Sequence, residues 1–169
     1  MGTWTATPRT WVAGEVPTAA NFNTDVRDFG RAFADAWTSY TPTLTASTTN
    51  PTNWTQTGYY MRAGKLVICR FILTAGASFT AGSGNYRVAL PVSANITGST
   101  EVTPSSSMIV DVSTGYLATP TIIINNASYL EWRYPATWPS GASTPVSNSA
   151  PFGWGSGDVI RGALVYEAA

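Results

Sequence analysis

The sequence predicts a mainly β protein: a jelly-roll-like β-sandwich preceded by an N-terminal extended arm and one amphipathic α-helix. Three observations carry that expectation. Short runs with period-two alternation recur through residues 39–169, punctuated by Gly, Pro, Asn and Ser clusters, as in antiparallel sandwiches. A single stretch, "WVAGEVPTAANFNTDVRDFGRAFADAW", instead spaces its apolar residues as a helix does. Of the 169 residues 44% are apolar, enough for a core, whereas only 11% are charged, about half the usual share.

Residues 1–16 show no periodicity. Trp4, Arg9 and Trp11 lie around Pro8 in polar surroundings, which reads as an extended arm lying on a neighbour. Thr18, after Pro17, is placed to cap a helix, its hydroxyl accepting from the backbone N–H of Ala20 or Asn21. Phe22, Val26, Phe29 and Phe33, then Ala36 or Trp37, recur at the intervals of a narrow seam, with Asp25, Arg27, Asp28 and Arg31 off it. About five turns of helix are marginal alone in water. Each Phe left wet forgoes about 1.5–3 kcal/mol, so the ridge needs cover from its own sandwich, from sister copies or from another protein. Residues 1–38 therefore read as arm and helix, and 39–169 as the sandwich.

In the sandwich, "YTPTLTAS" alternates in strand fashion. "WTQTGYYMRAGKLVICRFIL" reads as two strands, 55–62 and 65–73, in a tight hairpin at Ala63-Gly64. In the second strand Leu66, Ile68, Arg70 and Ile72 alternate with Val67, Cys69, Phe71 and Leu73. Both sets are largely apolar, which predicts a central strand buried on one face and partly covered on the other. Further strands are expected at 86–90, 107–112, 121–125, 129–133 and 159–166. Residues 135–158 offer no convincing strand, apart from a short candidate near 151–154; a loop of that length is uncommon unless functional or supported by a neighbour.

Catalytic chemistry is hard to place. The chain has no histidine and one cysteine, which removes the usual general base, the nucleophile–histidine pairs and thiolate zinc sites. Cys69 cannot form an intrachain disulfide and reads as a small buried apolar residue. "GWGSGDV" is Gly-rich, but no helix follows to hold a phosphate. Glu101, Asp111, Glu131, Asp158 and Glu167 show no pairing of the kind glycoside hydrolysis uses. No enzyme activity, metal or cofactor is expected.

The net charge is zero, which argues against nucleic acid and against a polybasic membrane patch. No apolar run approaches the roughly 20 residues that span a bilayer. The N-terminus lacks the pattern of a signal peptide, so synthesis in a cytoplasm is expected. A surface of Thr, Ser, Asn and Gly with few charges is poorly protected from self-association, which favours life in an assembly. Seven Trp and eight Tyr exceed what a small core needs. In "YLEWRYPATWP", Trp132, Arg133, Tyr134 and Trp138 are a candidate glycan platform; the competing reading packs these rings in a core or between subunits.

"TPRTWVAGEVPTAANFNTDVRDFGRAF" resembles a segment near the N-terminus of tailed-bacteriophage structural proteins, especially those of actinobacterial phages. The matching positions are Trp11, Gly14, Glu15, Thr18, Ala19, Ala20, Asn23, Arg27 and Asp28. "YTPTLTAS…GYYMRAGKLVICRFILTAG…RVALPV" and "APFGWGSGDVIRGALVYEAA" are similar to the β domains of those proteins. The resemblance implies a homotrimer in the virion. Three arms (Trp4, Arg9, Trp11) would attach to other virion proteins, three helices would meet along Phe22, Val26, Phe29, Phe33 and Trp37, and three sandwiches would project. A minor tail, tail-tip or tail-fibre position, with contact to a host cell-surface glycan, is one expectation. A capsid decoration or head fibre of the same architecture is a second, and a free carbohydrate-binding module a third.

Overall fold

Strands β3 (Thr52–Ala63) and β4 (Leu66–Thr80) form the long hairpin that organises the molecule. They turn at Gly64, whose φ of 60° suits the two-residue connection. The computed structural model describes residues 10, 12–23, 27, 30, 37–96, 101–102, 104–134 and 143–169. Both hairpin strands run further than the sequence pattern indicates, and Trp54 and Ala75 in the extensions still enter the core. β4 is an interior strand, as expected: β12 (Val159–Glu167) pairs with its other edge, from Val159–Thr74 to Glu167–Leu66.

The first sheet is completed by β1 (Thr38–Tyr40) on β3, and by β7 (Ser105–Asp111) and β8 (Tyr116–Ala118) beyond β12. Its order is β1-β3-β4-β12-β7-β8, and every described pairing is antiparallel. The second sheet has the order β2-β5-β10-β9-β6. Its members are β2 (Leu44–Ala46), β5 (Tyr86–Ala89), β6 (Glu101–Val102), β9 (Thr121–Asn126) and β10 (Tyr129–Tyr134). A short β11 (Thr144–Pro145) pairs with β10. The two antiparallel sheets pack face to face as a β-sandwich.

The core fills the space between the sheets, with Leu73, Ile109 and Ile160 from the first meeting Val88, Ile122 and Trp132 from the second. One transverse row shows how the packing is made. Tyr40, Gly58, Phe71, Gly162 and Ser107 are cross-strand neighbours in that order. The Tyr40 ring lies over Gly58 and the Phe71 ring over Gly162; a methyl group at either glycine would overlap the ring. Large rings are thus accommodated by absent side chains beside them. Phe71 then meets Trp132 edge-on from the opposite sheet, with centroids 5.9 Å apart.

The long segment in which the sequence shows no strand carries the short β11, a correction to that expectation, and is better anchored than its pattern indicates. Val146 is fully buried, and Trp154 joins Trp54, Tyr86 and Phe152 in an aromatic cluster. The Trp154 indole N–H donates to the Ser147 carbonyl at 2.8 Å. No strand forms at 151–154; aromatic packing holds the segment instead. Residues 135–142, including Trp138, lie outside the described residues.

At the front, Thr18 caps α1 (Ala19–Phe22) as the sequence predicts, its hydroxyl accepting from Asn21 N–H at 3.2 Å. Phe22 opens the apolar ridge and is 54% exposed. Val26, Phe29 and Phe33, and the arm residues Trp4, Arg9 and Trp11, lie outside the described residues.

Candidate functional site

Strand alternation sends every second residue away from the core, so each sheet has an outward face whose chemistry can be read row by row. On the first sheet β4 turns Leu66, Ile68, Arg70 and Ile72 outward, opposite the core set Val67, Cys69, Phe71 and Leu73. Cross-strand register places Met61 beside Ile68 and Val165 beyond it. Ile72 has Thr57 on one side and Arg161 then Met108 on the other. Val159 and Val110 continue the face to Leu117 on β8. Ile72 and Leu117 are 45% and 54% exposed, whereas Ile68, Val165, Val159 and Val110 are half-buried, and Thr57 and Arg161 flank Ile72 in its row.

Arg70 lies between Ile68 and Ile72 on β4, and Arg161 on β12 is a second exposed charge on the same face. The Arg70 guanidinium carbon lies 5.1 Å from the Trp37 ring centroid and 5.6 Å from that of Tyr59. Both are within cation–π reach, so two aromatic faces shelter the charge. Trp37, the residue before β1, thereby lies on the outward side of the first sheet.

The second sheet's outward face is built differently. Glu131 on β10 is almost fully buried, although its neighbours Leu130 and Trp132 are the ones that enter the core cluster. Arg87 Nε donates to Glu131 Oε1 at 2.8 Å, and Asn125 Nδ2 donates to Oε2 at 3.1 Å. The Arg87 guanidinium also lies 4.7 Å from the Tyr129 ring centroid. A buried carboxylate is costly unless paired and hydrogen-bonded, and here each oxygen has a donor. With both oxygens engaged, Glu131 is a structural anion rather than a free general acid or base.

Of the candidate glycan residues, Trp132 is 0% exposed, and its ring packs edge-on against Phe71. This corrects the platform reading for that residue: with both faces inside the core it has no surface for a sugar. The indole is drawn inward because β10 is an interior strand whose alternation places Trp132 opposite Ile122 on the buried side. Tyr134 is half-buried against the core, and burial raises its phenol pKa. Arg133 stands half-buried on the opposite side, paired with Thr121 and Pro145. The rings flanking Arg133 therefore turn inward while Arg133 turns outward. The four residues do not form one platform within the described chain.

Cys69 is fully buried, and burial pushes its thiol pKa up to about 12, which makes it inert as a nucleophile. Asp111 accepts from the backbone and hydroxyl groups of Ser113 and Thr114, which hold its carboxyl below the usual range. Asp158 accepts from Val112 N–H and Gly155 N–H. These carboxylates tie down turns. Among the described residues no cluster of three or more His, Cys, Asp or Glu side chains could hold a metal ion.

The outward apolar set of the first sheet is the feature that the sequence only half discloses. "KLVICRFIL" signals it by being apolar in both registers. The contributions of β7, β8 and β12 become part of the same face only through pairing. No protein-family model, curated protein or solved structure matches the chain.

Proposed function

We propose that this protein is a structural component of a bacteriophage virion. In this reading it is a homotrimer whose front segment attaches to the particle and whose β-sandwich projects at the tail tip or tail fibre. The observation that carries the proposal is the exposure of the front segment. Phe22 is 54% exposed, α1 buries none of its residues, and Val12 and Val16 are more open still. Apolar side chains presented in this way gain free energy only when another surface covers them. The resemblance of the same segment to the opening of phage tail proteins supplies the kind of surface: sister copies along the ridge and a virion neighbour along the arm. Engagement of all the carboxylates described above in hydrogen bonds agrees with a structural rather than a catalytic role.

Sedimentation equilibrium of the purified chain tests the assembly, with a trimer expected at micromolar concentration. Immunogold labelling of intact particles tests the location, with label expected at the tail tip. A monodisperse monomer, or particles without label, would remove the proposal; label on the head would move the protein to capsid decoration.

A further inference from the structure

We infer that the loop end of the sandwich opposite the Gly64 turn is a binding surface for a neutral saccharide, centred on the Tyr116 ring. This inference rests on the virion reading above and names where the projecting sandwich meets a host glycan. Position, charge and build support it.

Position follows from strand direction. β1 starts at Thr38 beside Tyr60, in the half of the sheet that holds the Gly64 turn, and runs to Tyr40 beside Gly58. The chain thus leads away from the front segment and towards the other end of the sandwich. There the loops 47–51, 81–85, 112–115 and 146–157 are tied into one surface. Thr49 bridges Ser83, Asn85 bridges Ser147, and Val112 N–H donates to Asp158 at 3.0 Å.

None of these four loops contains a charged residue, and neither does 135–145, the rest of the connection between β10 and β12. The carboxylates beneath them, Asp111 and Asp158, are buried and engaged by backbone N–H groups. Arg133, at the end of β10, is half-buried and faces outward from the second sheet. The Gly64 end is the reverse: Lys65 and Glu167 form an exposed ion pair at 3.1 Å, with Arg62 exposed nearby. Exposed loops ordinarily carry charge. An end without it can neither neutralise an anionic polymer nor steer a charged partner. Hydroxyl, amide and aromatic groups suit a neutral sugar, which offers hydroxyls and an apolar ring face.

The build is that of a prepared anchor. Tyr116 is 52% exposed, and its ring stands edge-on to Phe152 with centroids 5.9 Å apart. Phe152 in turn lies 5.0 Å from Trp154 in the buried aromatic cluster. Asp111 holds the turn before Tyr116 by accepting from Ser113 and Thr114, and Gly115 N–H closes it on the Asp111 carbonyl at 2.9 Å. A ring supported from below and open above loses little freedom on binding. Among the described residues of these loops and Tyr116, the large apolar side chains left open are Val112 and Tyr116, too few for the apolar centre of a protein interface.

The test uses the full chain and a glycan array that carries neutral oligosaccharides beside sulfated and uronic-acid-bearing ones. At least one neutral glycan should be bound, with an affinity indifferent to salt between about 0.05 and 0.5 M, since no ion pair takes part. Tyr116→Ala should weaken that binding by about tenfold or more, Tyr116→Phe should retain it, and Leu66→Ala at the Gly64 end should leave it unchanged. Circular dichroism checks that each variant folds. The unsubstituted chain gives a second readout: bound glycan should protect Tyr116 from nitration by tetranitromethane, while Tyr59, open on the first sheet, stays reactive. Binding to no neutral glycan, binding to anionic glycans alone, or affinity indifferent to Tyr116→Ala overturns the inference; a trimer that labels particles would still leave the virion reading standing. Particle adsorption that survives periodate oxidation of the host-cell sugars but not protease treatment means a protein partner, which also overturns it. Neutral-glycan binding at Tyr116 by a chain that labels no particle supports the site and removes the virion reading.

Discussion

The two outward faces of this sandwich are made of the same backbone and face the same solvent, yet they handle exposure in opposite ways. The second sheet carries a carboxylate, and it surrounds Glu131 with Arg87, Asn125 and the Tyr129 ring until almost none of it remains accessible. The first sheet leaves Leu66, Ile72 and Leu117 open beside the charges of Arg70 and Arg161. One face pairs both oxygens of Glu131, although Asn125 Oδ1 in the same network is buried without a hydrogen-bond partner; on the other, Leu66, Ile72 and Leu117 stand open among the described residues. The difference teaches how each face pays for exposure: a paired carboxylate gains little by further burial, whereas an exposed aliphatic side chain gains with every Å² removed from water.

Substitutions on β10 give the largest effects, because that strand bears both the core and the polar network. Trp132→Ala removes the ring that meets Phe71 between the sheets and is expected to cost about 3–5 kcal/mol in denaturant unfolding. Retention of full stability together with loss of sugar binding would restore the platform reading of this residue. Glu131→Ala, one position away, leaves Arg87 and Asn125 without their acceptor. A loss of roughly 1–3 kcal/mol is expected, less than for a fully buried pair because Arg87 is partly solvated. If Glu131→Ala proves neutral, the second face is not held by its network and the contrast between the faces weakens.

Gly162→Ala tests the inner side of the first sheet. The new methyl group meets the Phe71 ring, so a cost of about 1–3 kcal/mol is expected, visible as a lowered melting temperature. The smallest effect is in pH dependence. Burial raises the Cys69 thiol to about 12 from its ordinary 9.0, so the unfolded chain releases that proton first. Its contribution to stability is therefore complete below about pH 9 and is lost as the pH climbs towards 12. Tyr40, Tyr86 and Tyr166 are shifted upward by burial too and act in the same sense. Cys69→Ala should make the alkaline limb of a stability–pH curve shallower; an unchanged limb would mean the thiol is solvated. At the acid end Asp111 and Glu167 are held below the usual carboxylate range, so their contribution is lost as pH falls below about 4.

Much of the architecture was legible because it is local. Alternation in "KLVICRFIL" and "VIRGALVY", the turn at Gly64 and the cap at Thr18 depend only on residues a few positions apart. Functional residues were harder to read, and Trp132 shows why. "EWRY" presents two rings around an arginine whether the strand lies at an edge or in the middle of a sheet. Only the neighbours decide which side is wet.

What the sequence by itself determined is the strand content, the central place of β4, the capped start of α1 and the absence of histidine chemistry, all properties of composition or short-range pattern. What only the tertiary structure decided is which side of each strand is covered. Pairing distant strands brings Gly58, Phe71 and Gly162 into one row, buries Trp132, encloses Glu131 and sets Ile72 beside Arg161 on one outward face. The physical reason is that burial belongs to a surface and not to a residue, and a surface exists only once the chain has chosen its neighbours.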